Sequence, residues 1–550
     1  GRGSGERASS MSRRPLFPDG REHPLLHAAE SGDLASVERL LATLPHLPTS
    51  LDEPTADGWT PLIMAAKEGH TAVLEVLLAA GASANPRDDE SHSALRASAL
   101  GGHTDTCRRL LSAGAEVNQM SAGRRTALMG AAMNGHAETV ALLCASGADP
   151  SLRNDFDEDA AALAARSGSR ACVEEVEHAS VVPVVIASAT QPSSRVRADS
   201  SNQPEMRRNS ILERLISDGA RRLLVRSRGS AALDAAVTLG ILAPSKLRLI
   251  RQCHDDFASE GSNHDLVLAE PGQSEGLVPF FFVRRRPVES APLALRIAWH
   301  ATDSLTPLYP ETLADLEADA SVVMRASELL LNGCPLAYVL TTHPGHHASE
   351  EHYGGYCFVN WACMLMASLT QAGRRPFLVD VDYHAGDGSA AILVRPEDQS
   401  TGGTVAYNSG VGPSGCSRSF ISLHALNDYP FVPIEDSRRW AVGVPPGAGW
   451  DTYEPLLRGA LARVPEDCDV LVVSLGFDTL AGDPEAEGNS VLALSPDDFG
   501  AMARLLGGPA LPMCVIQEGG YKMSEIPVAA SRFWAAASST VLASNKFHSR

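Results

Sequence analysis

Four short apolar runs in the second half of the chain share one pattern. Phe377-Leu-Val breaks into a loop that carries Asp380, Asp382, His384 and Asp387 and turns at Gly386 and Gly388. Leu336–Leu340 leads into Thr341-Thr-His-Pro-Gly-His346-His347. Val470–Ser474 leads into Leu475-Gly-Phe-Asp478, and Met513–Ile516 into Gln517-Glu-Gly-Gly-Tyr521. Short apolar runs bounded by turn residues predict buried strands. Glycine lets the following loops turn sharply and approach a ligand closely. In a parallel α/β sheet, ligands bind beyond the carboxyl ends of the strands. One acidic loop after a strand is unremarkable; four such loops in series predict a site.

The first third has a different rhythm. Thr60-Pro-Leu62, Ser93-Ala-Leu95 and Thr126-Ala-Leu128 recur every 33 residues. Gly69-His70, Gly102-His103 and Gly135-His136 keep the same step, as do Gly81-Ala82, Gly114-Ala115 and Gly147-Ala148. This period and these elements resemble ankyrin repeats. Leu25-Leu-His-Ala-Ala29 opens an earlier copy, and Asp159-Ala-Ala-Ala-Leu163 with Gly168 is a degenerate last copy, as expected of a cap. The expectation is an all-α solenoid of about five repeats over residues 22–178. Its histidines, which invite a metal reading, recur in step with the fold and read as structural. Residues 1–21, rich in Arg, Ser and Gly, are expected to be disordered. The sequence opens on Gly1 with its first methionine at Met11, which reads as a fragment or an imperfect gene model.

Composition narrows the class. At 550 residues the chain exceeds the ~250–300 at which single cores stop growing, so at least two domains are expected. A hydrophobic content of 44% is ordinary, and no apolar run is long enough to span a bilayer. The net charge of −20 argues against direct nucleic-acid or anionic-membrane binding and suits a cationic substrate. Ten cysteines without CxxC spacing read as reduced thiols, most of them core residues such as Cys357 and Cys514, in a cytoplasmic or nuclear protein.

Six ordered motifs then carry a resemblance: His343-Pro-Gly-His-His-Ala348, Tyr353-Gly-Gly-Tyr-Cys-Phe-Val-Asn360, Asp380-Val-Asp-Tyr-His384, Ser422-Leu-His424, Leu475-Gly-Phe-Asp-Thr479 with Gly482-Asp-Pro484, and Glu518-Gly-Gly-Tyr521. Together they resemble the histone deacetylase superfamily, in its acetylpolyamine amidohydrolase and class II-like branch, over roughly residues 181–545. The resemblance implies an arginase/deacetylase-type α/β domain with a mostly parallel sheet, following the repeats, with helices over Ile211–Ala220 and about 313–331, the second leading into the strand before His346.

A catalytic zinc takes three protein ligands and keeps an open position. Spacing and family match both select Asp382, His384 and Asp478. A two-metal arginase pattern would need more carboxylates. The remaining roles come from the resemblance. His346 acts near the water, and His347 is general base and then acid. Asp380 partners His346, Asp387 partners His347, and Tyr521 donates to the oxyanion. A monovalent cation (K+) would use Asp380, Ser422 and the carbonyls of Asp382, His384 and Leu423. Tyr356, with Gly355 beside it, and Tyr429 match the walls of a tunnel for an aliphatic acyl-amide chain. Glu485 falls at the polyamine-selective gatekeeper position, although a solvated loop glutamate is an equal reading. Asp303 is a candidate second acidic rim residue, and His254-Asp255 a candidate for the family's His-Asp element.

Three departures stand out: Ala385 replaces a usual second histidine, Thr342-His343 replaces a usual Arg-Pro, and the Gly/Ser-rich segment 391–420 reads as an inserted loop. The expected reaction is zinc-dependent hydrolysis of an N-acetyl amide, on an acetylpolyamine or an acetyl-lysine side chain, with the repeats binding a protein partner. The contrasting expectation is an inert deacetylase-fold scaffold that acts through its repeats.

Overall fold

The computed structural model describes residues 24–43, 51–55, 58–85, 93–150, 152–181, 183–189, 204–260, 266–268, 277–279, 282–283, 285–303, 306–394, 419–426, 428, 440–484 and 492–545. The expected disorder of residues 1–21, most of the 391–420 segment, and both Tyr429 and Glu485 lie outside them. The chain divides into two compact units, Gly1–Val181 and Val182–Arg550.

The first unit is five helix pairs: Pro24–Ser31 with Leu34–Thr43, Pro61–Glu68 with Thr71–Ala79, Ala94–Gly101 with Thr104–Ser112, Ala127–Met133 with Ala137–Ala145, and Ala160–Ser167 with Arg170–Val181. Thr60, Ser93, Thr126 and Asp159 each cap the first helix of a pair, accepting a backbone N–H with the side-chain oxygen. The repeated histidines are structural. His70 Nε2 meets Glu30 O at 3.1 Å, His103 Nε2 meets Lys67 O at 3.0 Å, and His136 Nε2 meets Leu100 O at 3.1 Å. Each ring sits against the glycine that ends the preceding repeat's first helix, where a Cβ on Gly69 or Gly102 would lie 2.5 Å from it. The asparagines add a second ladder. Asn118 Nδ2 donates to Gly147 O at 3.1 Å, and its Oδ1 accepts from Asp149 N at 2.8 Å.

The second unit is built on one sheet. Its strands are β1 (Val184–Ser188), β2 (Arg222–Val225), β5 (Leu336–Leu340), β6 (Pro376–Asp380), β7 (Phe420–Ala425), β8 (Ala441–Val444), β9 (Val470–Leu475) and β10 (Met513–Gln517). A separate antiparallel ribbon pairs β3 (Leu266–Leu268) with β4 (Leu277–Pro279). The large sheet runs β2-β1-β5-β10-β9-β6-β7-β8, and every described pairing in it is parallel. Alternate strand residues feed two separate cores. Ala337, Val339, Val472 and Ile516 pack on one face, while Leu336, Tyr338, Val473 and Val515 pack on the other. Burial on both faces explains why the strands read as unbroken apolar runs rather than alternating ones.

The expected helix over 211–220 begins earlier, at Pro204, and stops at Ser217. Proline suits a first helical turn, and Gly219 takes a left-handed φ of 87° just past the end. Strands β2, β7 and β8 carried no run of apolar residues long enough to announce them. Replacing Asn118 by Ala removes both rungs of its ladder. It is expected to lower the unfolding free energy by about 1–3 kcal/mol, read from urea denaturation followed by far-UV circular dichroism.

Candidate active site

The four loops singled out from sequence follow β5, β10, β9 and β6, which are consecutive neighbours at the centre of the sheet. The topology therefore gathers them at one edge. Asp380 ends β6, and its Oδ1 accepts the Asp382 N–H at 3.1 Å. The backbone N–H of His384 donates to Asp382 Oδ1 at 3.0 Å, and Gly519 N donates to Asp382 Oδ2 at 3.0 Å. From β9, Asp478 accepts the Tyr383 N–H with Oδ1 at 3.1 Å. His384 Nδ1 then lies 3.5 Å from Asp382 Oδ1 and 3.3 Å from Asp478 Oδ2.

Asp382, His384 and Asp478 offer ligand atoms that all lie within 4.8 Å of one another, and no other such cluster occurs among the described residues. Asp478 Oδ2 is buried without a hydrogen bond in acceptable geometry. The backbone is cut away around it. A Cβ on Gly476 would stand 2.0 Å from Asp382 Oδ2, and one on Gly519 would stand 2.5 Å from Asp478 Oδ2. Two carboxylates, one imidazole and an orphaned buried oxygen in a glycine-walled hollow fit a divalent cation of zinc type. In the bare protein, burial and the charge of Asp382 push Asp478 up to about 7. Burial alone would lower His384, but the carboxylates of Asp382 and Asp478 beside its ring raise it to about 10.

The two neighbouring histidines sit in opposite environments. His346 Nδ1 lies 3.1 Å from Asp380 Oδ2, and its Nε2 lies 3.5 Å from Asp382 Oδ1. Burial opposes its charge, yet Asp382, Asp380 and Glu518 together raise its pKa well above the usual imidazole value. His347 Nδ1 pairs with Asp387 Oδ1 at 2.7 Å, but burial and the charge of His346 lower it. Two titratable groups driven apart in this way mark a division of acid and base roles.

Tyr521 follows Gly520, whose φ of 118° and close approach to Phe477 (2.6 Å from a built Cβ) exclude a side chain. Its ring centroid lies 6.3 Å from that of Tyr356. Tyr356 itself holds a left-handed φ of 63°, uncommon for a bulky residue and a mark of local strain. Gly355 packs directly on His347, since a Cβ there would fall 2.4 Å from His347 Cδ2. Asp303, half-exposed, supports this turn. Its carboxylate accepts from Thr306 N at 2.9 Å, Thr306 Oγ1 at 3.1 Å and Gly355 N at 2.5 Å. Ser422 on β7 is the register partner of Asp380 on β6 and accepts the Gly386 N–H at 3.4 Å, so the two side chains of the expected monovalent-cation site are adjacent. His254 lies on the helix Pro244–Glu260, with Nε2 3.1 Å from Leu308 O, away from these loops.

Several supports went unread in the sequence. Glu518, fully buried, accepts from Gly345 N at 2.6 Å, His346 N at 3.3 Å and Ser474 Oγ at 2.8 Å. Asp319 takes Thr342 N on both oxygens at 2.9 Å and His343 N at 3.2 Å. Asp483 accepts the backbone N–H groups of Tyr521 and Lys522 at 2.7 and 2.8 Å. Arg207 places its guanidinium 5.6 Å from the Tyr521 ring centre and donates to Gly520 O at 3.3 Å. A lone Glu at the end of the apolar run Met513–Gln517 was the one available signal; Asp319 and Arg207 sit on helices with nothing local to distinguish them.

Comparison with known proteins agrees with this geometry. The histone deacetylase domain profile matches residues 281–537, and ankyrin-repeat profiles match residues 25–121 and 124–155. Acetylpolyamine amidohydrolase 1 of Pseudomonas aeruginosa is 30% identical over 274 residues, covering 47% of this chain and 72% of that relative. The chain belongs to the histone deacetylase family. Histone deacetylase 8 of Xenopus laevis is more distant, 26% identical over 211 residues, covering 38% of this chain and 60% of that protein. The crystal structure of the acetylpolyamine aminohydrolase of Burkholderia pseudomallei shares the fold of the deacetylase domain. Its TM-score is 0.52 at 23% identity, over 64% of this chain and 98% of that one.

Two outcomes follow for the deacetylase domain. Gly355→Ala drives a methyl into the His347 ring and is expected to cut turnover by about a hundredfold or more while circular dichroism stays unchanged. Burial pushes Asp319 up to about 7. The folded chain therefore holds this proton between about pH 4 and 7, where the unfolded chain has lost it, so wild-type stability falls as pH rises through that window. Asp319→Asn cannot titrate. Its stability relative to wild type is expected to improve by a few kcal/mol between pH 5 and 8, read by denaturant unfolding of metal-free protein.

Proposed function

We propose that this chain is a zinc-dependent amidohydrolase that converts an N-acetyl amide of an aliphatic amine and water to the free amine and acetate. The observation that carries this is a buried Asp382–His384–Asp478 triad beside two histidines whose environments differ in sign. Zinc held by those three side chains would supply Lewis acidity toward the amide carbonyl and the attacking water. The protein's own groups do the rest. The Nδ1–H of His347 is held by Asp387, which presents Nε2 as the nitrogen that takes a proton from water and returns it to the departing amine nitrogen. His346, braced by Asp380, holds positive charge at the same locus. Tyr521 hydrogen-bonds the oxygen that gains charge as the carbonyl is attacked. Tyr356 lines the path of the aliphatic chain. Potassium beside Asp380 and Ser422 would brace the β6 loop from behind.

Among substrates an acetylpolyamine is favoured. The relatives named for that activity, the net charge of −20 and the acidic Glu485 of the sequence all suit a cationic chain. Acetyl-lysine is the second reading, favoured by the similarity to histone deacetylase 8. The repeats add a protein-binding module.

The test is direct. Purified chain is expected to hold about one zinc per chain and to turn over N8-acetylspermidine faster than an acetyl-lysine peptide. Tyr521→Phe is expected to lose about 10²–10³ in kcat with zinc content unchanged. A chain that binds no zinc and acts on neither substrate would establish the inert scaffold instead.

A further inference from the structure

Most arginines described in the repeat unit answer a carboxylate. Arg109 meets Glu75, Arg153 meets Asp159, Arg170 meets Glu174, and Arg166 meets Glu158. Arg96 and Arg125 meet none among the described residues. They face one shallow, open cleft with Met129, Met133 and Leu163. The cleft's one acid, Glu158, is already committed to Arg166 and to Asn154 Nδ2. Arg96 Nε is sealed from solvent and has no hydrogen-bond partner. Burial, and then the like charge of Arg125, hold the Arg96 guanidinium below its ordinary value.

The repeat register shows that the fold does not ask for these charges. Arg96 stands three residues after the cap Ser93, where the neighbouring repeats place Ile63 and Met129. Arg125 precedes the cap Thr126, where the second repeat has Trp59. Apolar residues serve both positions elsewhere in the same solenoid. A half-buried cation beside a second cation costs stability unless an anion joins them.

We propose that this cleft docks an extended acidic peptide segment of a protein partner, seating one aspartate or glutamate carboxylate between Arg96 and Arg125. The inference rests on the repeats being a protein-binding module and names the chemistry they select. Guanidinium groups match a carboxylate with paired, charge-assisted hydrogen bonds. Met129 and Met133 offer an adaptable apolar wall for the residue beside that carboxylate. The chain's net charge of −20 disfavours a long polyanion such as nucleic acid over a peptide that places a single carboxylate here. The cleft lies along the stacked first helices Ala94–Gly101, Ala127–Met133 and Ala160–Ser167, the kind of extended surface that solenoids use for peptides.

The experiment uses the full chain and a fluorescein-labelled peptide that alternates glutamate with leucine, followed by anisotropy. Its glutamine counterpart and an oligothymidylate are the comparators. The glutamate peptide is expected to bind roughly tenfold or more tightly than the glutamine one. Arg96→Gln/Arg125→Gln is expected to erase that difference, while Arg108→Gln, on an exposed second helix, leaves it intact. Without peptide, Arg96→Gln is expected to hold or raise the unfolding midpoint, because it removes a desolvated charge. Equal binding of the two peptides, or equal binding by the double variant, overturns the assignment. So does tighter binding of the oligothymidylate through the same arginines, or a destabilised Arg96→Gln, which would make the residue structural. None of these outcomes touches the deacetylase assay, so the two readings fail separately.

Discussion

Everything at the carboxyl edge of the sheet answers one constraint: acidic side chains have been taken out of water next to one another. Asp380, Asp382, Asp478 and Glu518 are each almost wholly buried. Isolated, a buried carboxylate would give up its charge. Here each is held by backbone N–H groups, by a histidine or by both. Only Asp478 Oδ2 is left over, on the side where His384 and Asp382 converge. The unfilled valence and the ligand geometry are therefore one feature, produced by the way the loops are hung.

That packing dictates where glycine must stand. Gly476 and Gly519 leave the carboxylates their room, and Gly355 lets its turn lie flat on His347. In each case the nearest atom belongs to a side chain of the candidate site. A methyl group at any of them would press on that side chain first. Tyr356, the next residue, bears the matching strain, kept in a left-handed conformation by bonds from its own and its neighbour's N–H to Thr306 and Asp303.

Much of this was legible because the chemistry is local in sequence. Asp380, Asp382, His384 and Asp387 share one loop, and the order of the motifs follows the strands that carry them. The 33-residue step of the repeats was equally plain, since each cap closes its own helix in the same way and each histidine makes the same contact one repeat back. What escaped reading was long-range. Glu518 closes on the Gly345 turn across 173 positions of sequence, Arg207 reaches Gly520 across 313, and Asp319 approaches from a helix. No local periodicity encodes such contacts. Asp303, read from sequence as a candidate acidic rim residue, also supports its loop in a way no local pattern shows, accepting from Thr306 and from the Gly355 N–H.

The departures at Thr342-His343 become intelligible on the same terms. A proline at 343 has no N–H to give, whereas His343 donates to Asp319, and Thr342 donates to both oxygens of the same carboxylate. The positive charge absent at position 342 arrives instead from Arg208 on the helix Pro204–Ser217, whose Nη1 donates to Thr342 Oγ1 at 3.1 Å. The His343 ring stands edge-on to Phe358, and its carbonyl accepts the Trp361 indole N–H at 3.0 Å. The turn that aims His346 and His347 is thus anchored from two helices and from the Phe358–Trp361 segment. Where the usual residues are missing, groups distant in sequence hold the turn, and the His346–His347 pair keeps its support.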